Sequence, residues 1–386
     1  MIFSRHSVLK RGCSTWDQTL APRHEFQSRL DATRREIARR NLDALVVYGD
    51  NYSFADLCYL TNYFPKVRGG IAVVPRDGAV SMLLNIGSRD VPFAKTLTWV
   101  DDVRASNLIG ADGAKLLMEK GFAEAKIGLT DSGRGFPLPQ LEDLKAALPR
   151  AEWTACDALF APLRVEKTPS ELAALRLAGR VLREVCDEAQ TRIQSGRKEY
   201  EIVADVDRLA RDKGAEDIRM LAGERRLQPP SFKQAGSMGN HWAVYLAVQH
   251  ERYWAEAGRT YLLGGDAKAQ GSYRKAQEVV ERMAAHLRPR NSVAAINDAA
   301  RKELGEFYAA ASLYGLGHGI GLNQWEAPFL NAEDALEVGA PAFDAATLNE
   351  GMTLALRVAF ASEGRLIIYG NSYEVTSTGP MSLLDE

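Results

Sequence analysis

The chain has 386 residues, 46% of them hydrophobic and 25% charged, and its 48 Lys and Arg against 50 Asp and Glu leave a formal net charge of −2. That length suits two domains with full hydrophobic cores, and the even balance provides no global field for drawing in nucleic acid or an anionic membrane. No apolar run approaches the ~20 residues of a membrane span, the N-terminal segment lacks the apolar stretch of a secretory signal, and four scattered cysteines (Cys13, Cys58, Cys156, Cys186) imply reduced thiols in a cytoplasmic protein rather than a disulfide framework or a zinc site.

From Glu25 to Arg40 the spacing is helical, with Phe26, Leu30 and Ile37 on the inner face. The run Ala44–Tyr48 is short, apolar and rich in branched residues, which predicts a buried strand. Gly70–Val74, the turn Pro75-Arg-Asp-Gly78 and Ala79–Leu84 together predict a hairpin. A helix from Ala114 to Lys120, a strand at Lys126–Thr130 and a helix from Leu141 to Leu148 follow. Alternating strands and helices predict a layered α/β domain.

A boundary falls between Pro162 and Pro169, giving domains 1–163 and 164–386. Thr168-Pro-Ser-Glu171 is a helix start in which Thr168 caps, Pro169 takes the first helical position and Glu171 closes a capping box. That helix is predicted to reach about Gln194, with further helices at Glu199–Lys213 and Tyr273–Leu287. Strands are predicted at Trp242–Val248, Arg259–Leu263, Thr353–Val358 and Leu366–Tyr369. Helices first and strands later suggest an α+β domain with an antiparallel sheet flanked by helices.

Gly317-His-Gly-Ile-Gly-Leu322, followed by Glu326-Ala-Pro328, carries a resemblance. It is similar to the stretch that supplies a metal-binding and a catalytic His in the creatinase/aminopeptidase P superfamily, whose catalytic domain has the "pita-bread" fold. Arg259-Thr260 before an apolar strand, Gly351-Met352 before another, and Arg164–Glu171 entering the long helix resemble the same family. The first half resembles the creatinase-type N-terminal domain.

The family holds two divalent cations with two Asp, one His and two Glu. On this chain the resemblance places the first Asp near Tyr245–Ala247, the second at Glu256, the His at His318, one Glu at Arg357, the other near Gly370 or Asn371, and the second His at Trp325. A ligand set reduced in this way, with Arg at its centre, opposes a dinuclear metal site. The expectation is therefore a creatinase-like hydrolase or lyase that uses no cofactor and cleaves a C–N or related bond of a small, carboxylate-bearing molecule. His318, Glu256 and His241 are the catalytic candidates, and Glu256 and Arg357 are expected to pair in the vacated site. Arg357, Arg68, Lys66, Trp325 and Glu326 are the candidates for holding substrate; Arg68 matches the spacing of a creatinase Arg that reaches a neighbouring subunit, so the resemblance also implies a homodimer. The alternatives are an Xaa-Pro dipeptidase-type metallopeptidase with an atypical site, and a pseudo-enzyme that binds small molecules or peptides without turning them over.

Overall fold

Apolar spacing sets the first helix: α1 (Arg23–Arg39) buries Phe26, Leu30 and Ile37 along one side. The computed structural model describes residues 15–65, 68–133, 135–193, 197–230, 241–330 and 346–385. The chain divides into two compact units that meet between Arg164 and Val165.

In the first unit α1 leads into β1 (Ala44–Asp50), α2 (Ala55–Thr61), β2 (Gly69–Pro75), β3 (Ser81–Leu84), α3 (Val91–Lys95), β4 (Asp102–Ala105), α4 (Ile109–Glu119), β5 (Lys126–Leu129), α5 (Leu138–Ala146), β6 (Glu152–Ala155) and α6 (Ala161–Arg164). The sheet order is β4-β3-β2-β1-β5-β6. The predicted hairpin is β2 and β3, paired antiparallel, whereas β1–β5, β5–β6 and β3–β4 run parallel. The helices α2 and α3 escape the sequence reading because they are too short to show a period, and β4 and β6 because they lack the apolar run that marks the equally short β3 and β5. Cys58, Cys156 and Cys186 are buried; Cys13 lies outside the described residues.

The second unit opens with α7 (Pro169–Arg192) and α8 (Glu199–Asp212), then β7 (Asp217–Gly223), β8 (His241–His250), β9 (Tyr253–Leu262), α9 (Ala267–Ala284), α10 (Val293–Leu304), α11 (Tyr308–Ser312), β10 (Gly317–Gly319), β11 (Glu326–Phe329), β12 (Thr353–Ser362), β13 (Arg365–Thr376) and β14 (Gly379–Ser382). The sheet runs β11-β10-β12-β13-β9-β8-β7, with β14 also on β13. Helix α9 packs on β12 and β13, and α10 packs on α9, in one core that includes Val279, Val280, Met283, Ile296, Val358 and Ile367. The opposite face carries Ala243, Tyr245, Ala247, Trp254, Ala355 and Ala359. Among the described residues no helix is long and apolar enough to cross a membrane.

At the start of α7, Thr168 Oγ1 accepts from Glu171 N at 3.3 Å, and a Glu171 carboxylate oxygen accepts from Thr168 N at 3.0 Å. The same carboxylate accepts from Tyr253 Oη at 3.0 Å, which ties the cap to β9. Thr168→Ala is expected to lower the free energy of unfolding by about 1 kcal/mol, read from the urea midpoint at unchanged slope. A wild-type midpoint would mean that the cap adds nothing to what the Tyr253 bond already supplies.

Candidate active site

Strand alternation decides what meets on the sheet face opposite α9 and α10. Glu256 lies two residues from Trp254, and Arg357 two from both Ala355 and Ala359, so all point to one side. Register brings His318 opposite Ala355 and Glu256 opposite Ala247. Arg357 faces Gly370 across β12 and β13, and a Cβ at Gly370 would stand 2.7 Å from the Arg357 Cβ. A carboxylate-bearing residue at 370 therefore conflicts with the present position of Arg357.

These residues form one buried network. Arg357 Nη1 donates to Glu256 Oε1 at 2.8 Å and to His318 Nε2 at 3.0 Å, while its Nε donates to Tyr314 O at 3.1 Å. Glu256 Oε2 accepts from the Tyr245 hydroxyl, which in turn accepts from Gln324 Nε2. Gln324 Oε1 accepts from Arg219 Nη1 at 2.7 Å. Trp325 stacks on His318 with ring centroids 4.6 Å apart, and the Arg357 guanidinium lies 5.2 Å from the Trp325 ring centre. His318 is fully buried, and Glu256 and Arg357 are 2% and 5% exposed.

The electrostatics follow from burial and partners. Burial alone would raise the Glu256 carboxyl, but His318, Arg357 and the Tyr245 hydroxyl outweigh it and hold it down to about 2. Burial, reinforced by the Glu256 charge, pushes the Tyr245 hydroxyl well above its ordinary value, so it stays a donor. His318 Nδ1 donates to Gly319 O at 2.9 Å. Its Nε2 faces both Arg357 Nη1 and, at 3.3 Å, Glu256 Oε1. The imidazole therefore accepts from Arg357 when neutral and has a carboxylate in reach when protonated.

Of the residues singled out in the sequence, the fold brings His318, Glu256, Arg357 and Trp325 together. It does not bring in His241. Glu256 pairs with Ala247, six residues further along β8, or ~20 Å at strand rise. His241 is buried there with its Nε2 on Leu366 O, and burial lowers its pKa. His241, read from the sequence as a catalytic candidate at the entry to this strand, is set apart from the network because sequence order does not say how far along β8 the network lies. Glu326 is on β11, one strand from His318, but its carboxylate is held by Lys167 Nζ at 3.1 Å and Asn323 N at 2.8 Å. Arg68 is exposed in the first unit and donates to Asn85 Oδ1 at 2.9 Å. Lys66 lies outside the described residues. Gln324 and Arg219 were not foreseen; Gln324 adjoins Trp325 in the motif, but an exposed cation on β7 gives no signal in the sequence.

The comparisons with known proteins agree with this architecture. The family described as Metallopeptidase family M24 matches residues 173–377, and the Creatinase/Prolidase N-terminal domain matches residues 29–165. An uncharacterized hydrolase/peptidase, y4tL, from Sinorhizobium fredii is 30% identical over 200 residues, 48% of this chain and 49% of its own. An Xaa-Pro dipeptidase from Pyrococcus horikoshii is 24% identical over 245 residues, 61% of this chain and 67% of its own. The chain thus spans about half to two thirds of the length of the curated relatives it matches. Among solved structures, the prolidase from Pyrococcus horikoshii superposes with a TM-score of 0.76 at 18% identity, covering 93% of this chain and 98% of that one. The dipeptidase PepE from Mycobacterium ulcerans gives 0.71 at 22%, covering 97% and 98%. At these identities the superpositions show the fold, including the creatinase-type first domain and the antiparallel pita-bread second domain.

The side chains do not fit the metal centre that the family description implies. Among the described residues no group of three or more His, Cys, Asp or Glu is placed to hold an ion. The two candidate ligands, Glu256 and His318, already share one guanidinium nitrogen. A dication between them would sit beside Arg357, and even two unit charges ~4 Å apart repel by ~4 kcal/mol at an effective dielectric of about 20.

Arg357 is thus the internal counter-charge of Glu256. Arg357→Met is expected to cost about 3–5 kcal/mol at neutral pH, because it strands a buried carboxylate. The wild-type carboxyl is depressed, so its contribution to stability is complete above the ordinary carboxyl range and fades as pH falls toward 2. In the variant, burial raises the same carboxyl, so the gap between the two proteins should narrow from pH 7 to pH 4. Urea unfolding at both pH values reads this directly, and an unchanged gap would mean that Arg357 does not balance Glu256.

Proposed function

Because the chain belongs to metallopeptidase family M24, we propose that it is a hydrolase that cleaves the C–N bond of a small, carboxylate-bearing, peptide-like molecule without the metal used elsewhere in the family. The observation that carries this reading is the Arg357 guanidinium bonded to both Glu256 and His318. The relatives named as Xaa-Pro dipeptidases and as a hydrolase/peptidase support the choice of a C–N bond.

Each residue has a role that follows from its chemistry. Arg357 is a fixed cation whose N–H groups suit an oxyanion developing on the scissile carbonyl. Glu256, with its carboxyl at about 2, is too weak a base near neutral pH and instead holds Arg357 in place. His318 carries the proton: as water adds to the scissile carbonyl its Nε2 takes a proton from that water and then returns it to the leaving amine as the C–N bond breaks. Tyr245 and Gln324 fix the second oxygen of Glu256. Trp325 covers His318, so productive binding displaces the indole and lets the substrate take its place.

A second reading is favoured by a separate observation. Both Glu256 oxygens and both His318 nitrogens already have partners, as they would in a pocket that binds without reacting. One experiment separates the readings. Protein purified without a metal-affinity step is analysed for bound metal and then assayed against Xaa-Pro dipeptides and N-acyl amino acids, with and without chelator. The expected result is metal well below one ion per chain and chelator-insensitive hydrolysis that falls by about 100-fold or more in His318→Ala. Stoichiometric metal, or activity that appears only on adding manganese or cobalt, would overturn the metal-free reading. Recovery of a bound compound chemically unchanged, with no turnover of any substrate, would establish the binding protein instead.

A further inference from the structure

The hydrogen-bonded chain from Arg357 through Glu256 to Arg219 carries more positive than negative charge, and the excess sits at its exposed end. Glu256 contributes one negative charge, and Arg357 and Arg219 contribute one positive charge each, so the sum is at least +1 whatever the state of His318. The neighbouring Lys167–Glu326 pair is neutral in itself. Arg357 is committed to Glu256 and buried. Arg219 differs on both counts: it is exposed, and its hydrogen-bond partner is the neutral amide of Gln324 at 2.7 Å rather than a carboxylate. Its guanidinium lies 4.6 Å from the centre of the Trp254 ring, and Trp254 is buried on the same sheet face as Glu256. Stacking against an indole holds a guanidinium in a fixed plane, and a planar fork is suited to gripping a carboxylate through two bonds.

We propose that Arg219 is the residue that selects the substrate, by pairing with the carboxylate of the small molecule that enters this site. The proposal rests on the function given above and deepens it by naming which cation reads the anionic group. Docking a carboxylate there neutralises the excess charge of the network. It also competes with Gln324 Oε1 for Arg219, and Gln324 is the residue that donates to Tyr245 and reaches Glu256 Oε2 at 3.4 Å. Occupation of Arg219 is thereby linked to the group that holds Glu256 and, through it, Arg357. Arg219 specifies and positions; no proton or bond is assigned to it.

The test uses the full chain and two probes that differ by one charge, alanylproline and alanylproline amide, with binding measured calorimetrically and by the fluorescence of Trp254 and Trp325. Wild-type protein is expected to bind the free acid about 10-fold or more tightly than the amide. Arg219→Met should abolish that preference, and Arg219→Lys should restore part of it. Arg219→Met gives up the bond to Gln324 and the contact with Trp254, so its thermal unfolding should fall modestly and less than that of Arg357→Met; a merely structural role would lower stability and leave the acid-to-amide ratio intact. Equal affinity for acid and amide, a preference that survives in Arg219→Met, or no binding of either probe would overturn the assignment. Preference for the acid without hydrolysis of it would leave Arg219 standing while removing the hydrolase reading, and hydrolysis without preference would do the reverse.

Discussion

The second unit is organised around a single ion pair, Glu256 with Arg357, enclosed at the middle of an antiparallel sheet. At their 2.8 Å separation the gross attraction is ~6 kcal/mol for an effective dielectric of about 20. Removing each ion from water costs several kcal/mol, so attraction alone does not hold such a pair. The surrounding bonds close the difference. Tyr245 takes the second carboxylate oxygen, Tyr314 O takes Arg357 Nε, and His318 takes the same Nη1 that bonds Glu256. Removing any member leaves a buried charge or polar group without its partner, so the members are expected to be energetically coupled.

Small residues make room for it. Ala243, Ala247, Ala355 and Ala359 line the face around Tyr245 and Trp254, and Gly370 lies opposite Arg357. A guanidinium needs more space than a carboxylate, and the lack of a Cβ at 370 supplies some of it. Arg357 and the glycine at 370 thus fit together sterically, and this face of the sheet contains its own cation.

Much of this was legible in the chain. The capping box at Thr168, the buried faces of α1 and α7, the β2–β3 hairpin and the strands around Tyr245, Arg357 and Ile368 have periods or end signals that local chemistry dictates. The glycine-flanked His318 marked the site, and the resemblance placed Glu256 and Arg357 beside it. The short helices α2 and α3 and the polar edge strands β4 and β6 were not legible, nor was α10 (Val293–Leu304), whose apolar positions are mostly alanine and stand out weakly. Gln324, Arg219 and the position of His241 were also hidden, for a different reason: each depends on which strand lies next to which, and by how many residues their registers are offset.

The sequence by itself determined the two-part architecture and the α/β and antiparallel character of the parts. Those follow from residue type and spacing along the chain, which act over a few residues. Only the tertiary structure decided that Arg357 is bonded at once to Glu256 and His318, that Glu326 is taken by Lys167, and that His241 lies far along its strand. Hydrogen bonds and ion pairs are fixed by distances of about 3 Å between atoms up to a hundred residues apart, and spacing along the chain does not carry distances of that kind.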